Sequence, residues 1–195
     1  MGKKGYKFLI AGVGGQGTIL ASDILSEVGI RLGYDAKKSD ILGLAVRGGS
    51  VVSHIQWAPK VHAPVVGEGE ADYLIGFEWL ETLRRLSSLK RRGVVVANDH
   101  RIDPMTVSSG EAEYPSPQHI LSELKKIAKA VHVIPGTETA LDLGDVRTFN
   151  IVILGALSAL LKSEPGLWKE VIGEKVPPKA EKMNQRAFDR GRTLV

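Results

Sequence analysis

Phe8-Leu9-Ile10-Ala11-Gly12-Val13-Gly14-Gly15-Gln16-Gly17-Thr18 is the stretch on which the reading of this chain turns. Apolar residues run straight into a cluster of glycines. Behind the cluster, Ile19, Leu20, Ala21, Ile24, Leu25 and Val28 recur at helical spacing. The pattern is strand, tight turn, helix start. Glycines suit such a turn because the chain reverses through φ values that a Cβ disfavours. They also bare N–H groups at a helix N-terminus, where an anion is stabilised. Gly12, Gly14 and Gly17 fit G-x-G-x-x-G, which is weak evidence for a dinucleotide when it stands alone.

The same residues discriminate between sharper readings. A P-loop requires lysine after its last glycine, and Thr18 stands there. A nicotinamide or flavin site requires an acidic residue at the end of the second strand. Asp35 directly follows Gly33-Tyr34 and reads as the start of that strand, so Asp40 is the better placed of the two. The plain alternative is a turn that only packs the first helix onto the sheet.

With 195 residues, 43% hydrophobic and 25% charged, the chain is expected to form a single domain over 1–195 with a layered core. It has no cysteine, so it offers no thiolate to an iron–sulfur cluster and no thiol nucleophile. That composition agrees with the cytoplasm. No signal peptide is expected, and Ile151 to Leu161 is too short an apolar run to cross a bilayer. The net charge is +4, with the basic residues read as scattered or paired with acids, as in Lys90-Arg91-Arg92. Neither nucleic acid nor a membrane is an expected partner.

Along the chain, strands are expected at about 6–12, 34–39, 50–57, 72–77, 94–97 and 131–135. In the third of these, His54 falls on the less buried of two alternating faces. Helices are expected at about 15–32, closed by Gly33, then at 78–90, 118–130 and 145–162, and last in the tail from Pro177 to Arg192. Strands alternating with helices give an α/β fold: a three-layer Rossmann-like domain with a mostly parallel sheet. To this are added a C-terminal helix and the long helix after Asp145. The latter is apolar almost all round and is expected to serve part as core and part as interface.

Catalytic constellations are scarce. His54, His62, His100, His119 and His132 form no metal-ligand spacing, and there is no nucleophile elbow. Glu68 and Glu70 read as solvated loop charges. Two loops do lie where open α/β sheets place ligands. One is the glycine turn. The other is Asp40 to Ser50, in which Arg47 is flanked by Gly48 and Gly49. An arginine there can clamp a phosphate or carboxylate through paired N–H bonds, or can bridge to Asp40 or a partner subunit.

Taken together, Ile10 to Gly17, Ser39 to Val51 and Gly69-Glu70-Ala71-Asp72 resemble the gamma chain of 2-oxoacid:ferredoxin oxidoreductases, which is called beta in the indolepyruvate enzymes. Asn98, Arg147-Thr148-Phe149-Asn150 with Leu154-Gly155-Ala156, and Pro178-Lys179, Asn184 and Ala187-Phe188 extend the likeness over nearly the whole chain. The sequence departs from the family pattern Glu-x-His-Gly-x-x-x-Arg-Gly-Gly by holding Asp40 and Leu42, with Val46 where glutamine is usual. This leaves open which 2-oxoacid is used.

The resemblance implies a subunit, inactive by itself, of an enzyme that converts a 2-oxoacid such as indolepyruvate or 2-oxoglutarate to an acyl-coenzyme A and passes electrons to ferredoxin. Thiamine diphosphate and iron–sulfur clusters then belong to partner chains, a thiamine-diphosphate-binding subunit and a ferredoxin-like subunit. Gly12, Gly14, Gly15, Gln16 and Gly17, with Arg47, Gly48 and Gly49, become the expected contacts to a coenzyme A phosphate or a partner chain, and no catalytic or metal residue is expected. A homodimer of the isolated chain is left open. The competing readings are a stand-alone nicotinamide or flavin oxidoreductase and a purely structural subunit.

Overall fold

In a computed structural model of the chain, residues 5–43 and 48–195 are described. The opening strand β1 (Tyr6–Val13) enters the glycine turn and helix α1 (Thr18–Arg31) leaves it. Strands β2 (Asp35–Leu42) and β3 (Ser50–Ala58) follow with no helix described between them, and then β4 (Ala71–Gly76). Next come α2 (Trp79–Arg84), β5 (Leu89–Asn98), α3 (Met105–Ser108), α4 (Pro117–Ile127) and β6 (Ala130–Ile134). The chain closes with α5 (Gly136–Leu143), α6 (Phe149–Leu160), α7 (Pro165–Lys175) and α8 (Glu181–Arg192).

The six strands lie in the order β2-β3-β1-β4-β5-β6. β1, β4, β5 and β6 are parallel neighbours, whereas β3 is antiparallel to both β1 and β2. The sheet is thus mostly parallel, but the strict alternation of strand and helix fails from β2 to β4: no helix is described between β2 and β3 or between β3 and β4. The sheet's two faces carry separate cores. Phe8, Ile10, Ile55, Ile75 and Val96 face α1 and the C-terminal helices, while Leu9, Val52, Leu74 and Val95 face α2 and α4. With helices on both faces, the fold is the expected three-layer α/β arrangement.

Helix α6 explains its own composition. Every residue from Phe149 to Ser158 is buried, because the helix packs among α1, α5, β5 and α8. An ideal Cβ on Gly155 would come 2.2 Å from the Phe188 carbonyl oxygen, and one on Gly191 1.9 Å from that of Val152. The α6 and α8 backbones therefore touch where glycines allow it. The expected interface share of α6 gives way to core: its apolar side chains are covered by this chain's own helices.

Several other expectations shift. The helix expected over 78–90 ends at Arg84, and Leu89 instead opens β5, paired with Ala71. The i, i+3 spacing of Leu83, Leu86 and Leu89 matched a helix across a turn and a strand start. α3, α5 and α7 were not anticipated: α3 and α5 are short, and α7, although as long as α4, shows only Trp168, Val171 and Ile172 to the core. β3 is buried on both faces rather than half-exposed, since Val66 from the following loop packs with Val52 and donates its N–H to His54 on the second face.

Candidate functional site

The glycine turn is braced from within. Val13 N–H donates to Gln16 Oε1 at 2.7 Å, Gln16 N–H donates to the Val13 carbonyl at 3.0 Å, and Gln16 Nε2 donates to the Phe77 carbonyl at 3.1 Å. The Gln16 side chain is thus turned inward and fastens the end of β1 to the end of β4. Asn98 Nδ2 donates to the same Phe77 carbonyl at 3.1 Å and to Thr137 Oγ1 at 2.9 Å, which ties β5 and α5 into the same knot. Gly17 sits in the left-handed region at φ 76° and opens α1. Asn150, at the buried start of α6, donates from Nδ2 to the Gly17 carbonyl at 3.3 Å, and an ideal Cβ on Gly17 would lie 2.2 Å from that nitrogen. Any side chain at position 17 would displace this clamp.

The two glycine loops meet in space. β3 runs antiparallel to β1 with Ser50 opposite Val13, so Gly48 and Gly49 return beside the turn. Gly14 N–H donates to the Gly49 carbonyl at 2.8 Å, and Gly48 N–H to the Gly14 carbonyl at 3.4 Å. Arg47 lies outside the described residues, as do 44–46. Around the junction is a cleft of about 400 Å³ lined by Val13, Gly14, Gly15, Gly17, Thr18, Ile19, Leu42, Gly43 and Val51. Among the described residues nothing lies within 4 Å of the Cβ position of Gly15 or of Gly48, so backbone is bared at both.

The chemistry of this cleft follows from its lining. α1 has no side-chain cap and no acidic residue in its first turn, so the partial positive charge of its N-terminus is not offset locally. Ile19 and Leu42, 41% and 57% exposed, supply an apolar wall that water covers poorly. Backbone donors beside apolar surface suit a ligand with an anionic head and a less polar body, or an apolar segment of another chain.

The carboxylates expected near a ribose are committed elsewhere. Asp35 opens β2 and accepts a hydrogen bond from Val61 N–H at 2.8 Å. Asp40 lies within β2, not at its end. It accepts from Lys38 Nζ at 2.6 Å, from Ser22 Oγ at 3.0 Å and from Ser53 Oγ at 2.5 Å. Burial pushes the Asp40 carboxyl up, but Lys38 and the two hydroxyls outweigh it and hold the group below its ordinary value. A dinucleotide would have to displace this network.

His54 is buried, and its Nδ1 accepts from Val66 N–H at 3.1 Å. Burial first, and then the nearby Arg85 charge, depress its pKa and keep it neutral. Among the described residues no group of three or more His, Cys, Asp or Glu could hold a metal ion.

Sequence reasoning missed a second polar assembly beside the junction. Glu78, 1% exposed, caps α2 by accepting from Glu81 N–H at 2.9 Å; it also accepts from Ile102 N–H at 3.1 Å and from the Tyr114 hydroxyl. The buried Glu81 accepts from Ser50 Oγ at 2.5 Å and so anchors the first residue of β3. The sequence signal was the carboxylate directly before an apolar helical run, an N-cap pattern hidden by reading Glu78 as part of the helix itself.

Comparison with known proteins gives a consistent picture. The family model for pyruvate ferredoxin/flavodoxin oxidoreductase matches residues 7–194. The indolepyruvate oxidoreductase subunit IorB of Pyrococcus horikoshii is 36% identical over an alignment 199 positions long, covering 96% of this chain and 95% of that one. Among solved structures, the gamma subunit of a keto/oxoacid ferredoxin oxidoreductase from Geobacter sulfurreducens superposes with a TM-score of 0.71 at 24% identity, covering 97% of each chain. The 2-oxoglutarate:ferredoxin oxidoreductase of Magnetococcus marinus, solved with 2-oxoglutarate, coenzyme A and succinyl-CoA bound, gives 0.77 at 23% identity over 98% of this chain and 31% of that one. Both superpositions speak for the fold.

Proposed function

The chain belongs to the pyruvate ferredoxin/flavodoxin oxidoreductase family, and from that premise we propose that it is the accessory, gamma-type subunit of a cytoplasmic 2-oxoacid:ferredoxin oxidoreductase. In this reading the complex converts a 2-oxoacid to an acyl-coenzyme A and delivers electrons to ferredoxin. The observation that carries it is the near end-to-end match to an indolepyruvate oxidoreductase subunit. The absence of cysteine supports the division of labour, because this chain has no thiolate for a cluster. Thiamine diphosphate, held by a partner chain, supplies the carbanion chemistry.

This chain's own contribution is shape and charge. The N-terminus of α1 and the bared backbone at Gly15 and Gly48 form the face offered to a coenzyme A phosphate, and Arg47, adjacent in sequence to Gly48, is the side chain we assign to clamp it. Gly12, Gly14, Gln16 and Gly49 hold that face in place. Leu42 and Ile19 give the less polar part of the ligand an apolar wall. In the assembled enzyme, Arg47→Ala should raise the coenzyme A half-saturation point at least about tenfold, the loss of one charge-assisted hydrogen bond. An unchanged half-saturation point together with unchanged assembly would exclude this role for the loop.

A further inference from the structure

β4 and β5 fall out of step near their starts. Ala71 pairs with Leu89 and Tyr73 with Val94, so two steps along β4 are matched by five along β5. The surplus is Lys90-Arg91-Arg92, pushed out as a bulge and exposed at all three positions. Arg92 has φ 66°, a left-handed conformation that glycine or asparagine adopts more easily. The Lys129 N–H donates to the Gly93 carbonyl at 2.8 Å and brings a fourth exposed cation alongside. Lys90 reaches Asp72 at 3.3 Å, but Arg91, Arg92 and Lys129 have no anionic partner among the described residues. The sequence reading of this run as paired with acids therefore holds for Lys90 alone.

This cluster sits at the N-terminal ends of the parallel strands, at the opposite end of the sheet from the glycine turn. It borders a shallow cleft of about 320 Å³ that includes Tyr73 and Asp72. Grouping unpaired cations costs a free chain self-repulsion, and a bulge that keeps a long cation in a strained conformation adds to the cost. Such an arrangement is stable in company that neutralises it. A compact polyanion fits poorly, because Asp72 lines the cleft and the negative end of α4 lies beside Lys129. Lys90, Arg91, Arg92 and Lys129 all border that cleft, from the bulge and from the turn after α4. Carboxylates distributed over a protein surface can meet them one by one.

We infer that the Lys90–Gly93 bulge with Lys129 is a docking face for an acidic surface of another protein chain. The inference rests on the reading of this chain as one subunit of a larger complex and assigns the contact to the thiamine-diphosphate-binding chain. The test uses the full chain and that partner, with association measured by sedimentation velocity across a range of salt. For the unmodified pair, Kd should rise on the order of a hundredfold between 50 and 500 mM salt. Arg91→Glu/Arg92→Glu/Lys129→Glu should weaken association at low salt on the order of a hundredfold and flatten the salt dependence. Arg92→Gly guards against a folding artefact: it should raise the melting temperature by relieving the strained φ, yet weaken association.

If the unmodified pair associates and the charge reversals leave Kd and its salt slope unchanged, the docking face is refuted and the subunit reading stands. If the unmodified chain does not associate at all, both fall. Saturable binding of inorganic pyrophosphate to the isolated chain, abolished by the triple substitution, would reassign the cluster to a small phosphate ligand and overturn the inference.

Discussion

Gly17→Ala should be among the most costly single-methyl changes in the chain. Position 17 adopts φ 76°, where an alanine is disfavoured by about 1–2 kcal/mol. Its Cβ would lie 2.2 Å from Asn150 Nδ2, so the amide must swing away and give up its 3.3 Å bond to the Gly17 carbonyl. Asn150 is 3% exposed, and a buried amide left without a partner costs about 1–3 kcal/mol. The total is about 2–5 kcal/mol, or a fall in melting temperature of about 5–15 °C for a chain of this size. Urea unfolding and calorimetry measure it. Asn150→Ala removes the obstacle, so the double variant should lose at least about 1 kcal/mol less than the sum of the two single losses. A single-variant loss below about 1 kcal/mol, or strict additivity, would refute the claim that α6 clamps the turn.

Three further outcomes follow from the same structure. Gly191→Ala places a Cβ 1.9 Å from the Val152 carbonyl oxygen and should cost about 3 kcal/mol by forcing α8 off α6; thermal melts and soluble yield report it. Asp40→Asn should cost about 1–2 kcal/mol at pH 7 by breaking the Lys38 pair. Because the folded Asp40 carboxyl is held below its usual value of 3.8, its contribution is full above that pH and disappears as pH falls through the folded pKa, so the variant's stability should be flatter in acid. His54 titrates below 6.5 in the folded chain, so its contribution is full above 6.5 and is lost as pH falls through the folded value. Denaturant unfolding at pH 7.5 and 5.5 should show that loss in the unmodified chain and a smaller one in His54→Asn.

Much of the fold could be read from local pattern, and the failures have physical causes. β1, the glycine turn and α1 form one contiguous signal, and they appear within a few residues of their expected limits. The apolar α6 was legible as a helix that needs covering, but its cover is α8, whose buried face of Asn184, Ala187, Phe188 and Gly191 is too mixed to announce itself. Packing there is set by close backbone approach at glycines rather than by a hydrophobic stripe. β3 looked half-exposed because alternation marks two faces without saying what lies against each. The loop carrying Val66 makes the second face interior as well.

At the candidate site, the glycine turn and the Gly48-Gly49 pair were each visible in the sequence. That they touch depends on the antiparallel register of β3 on β1, a non-local fact. Gln16 read as a ligand contact from its place among glycines, whereas its amide spans Val13 and Phe77 inside the turn. From its place along the chain, Asp40 is the better of two carboxylates for a ribose only in the competing dinucleotide reading. Ser22, Lys38 and Ser53, brought together by α1, β2 and β3, hold it instead.

The most direct measurement is acyl-coenzyme A formation from a 2-oxoacid, with ferredoxin as electron acceptor, by the purified chain alone and after addition of a thiamine-diphosphate-binding, cluster-bearing partner. The accessory role requires no turnover by the chain alone and turnover on reconstitution that fails when this chain is left out. Turnover by the isolated chain, or tight binding of a nicotinamide or flavin dinucleotide to it, would contradict that role.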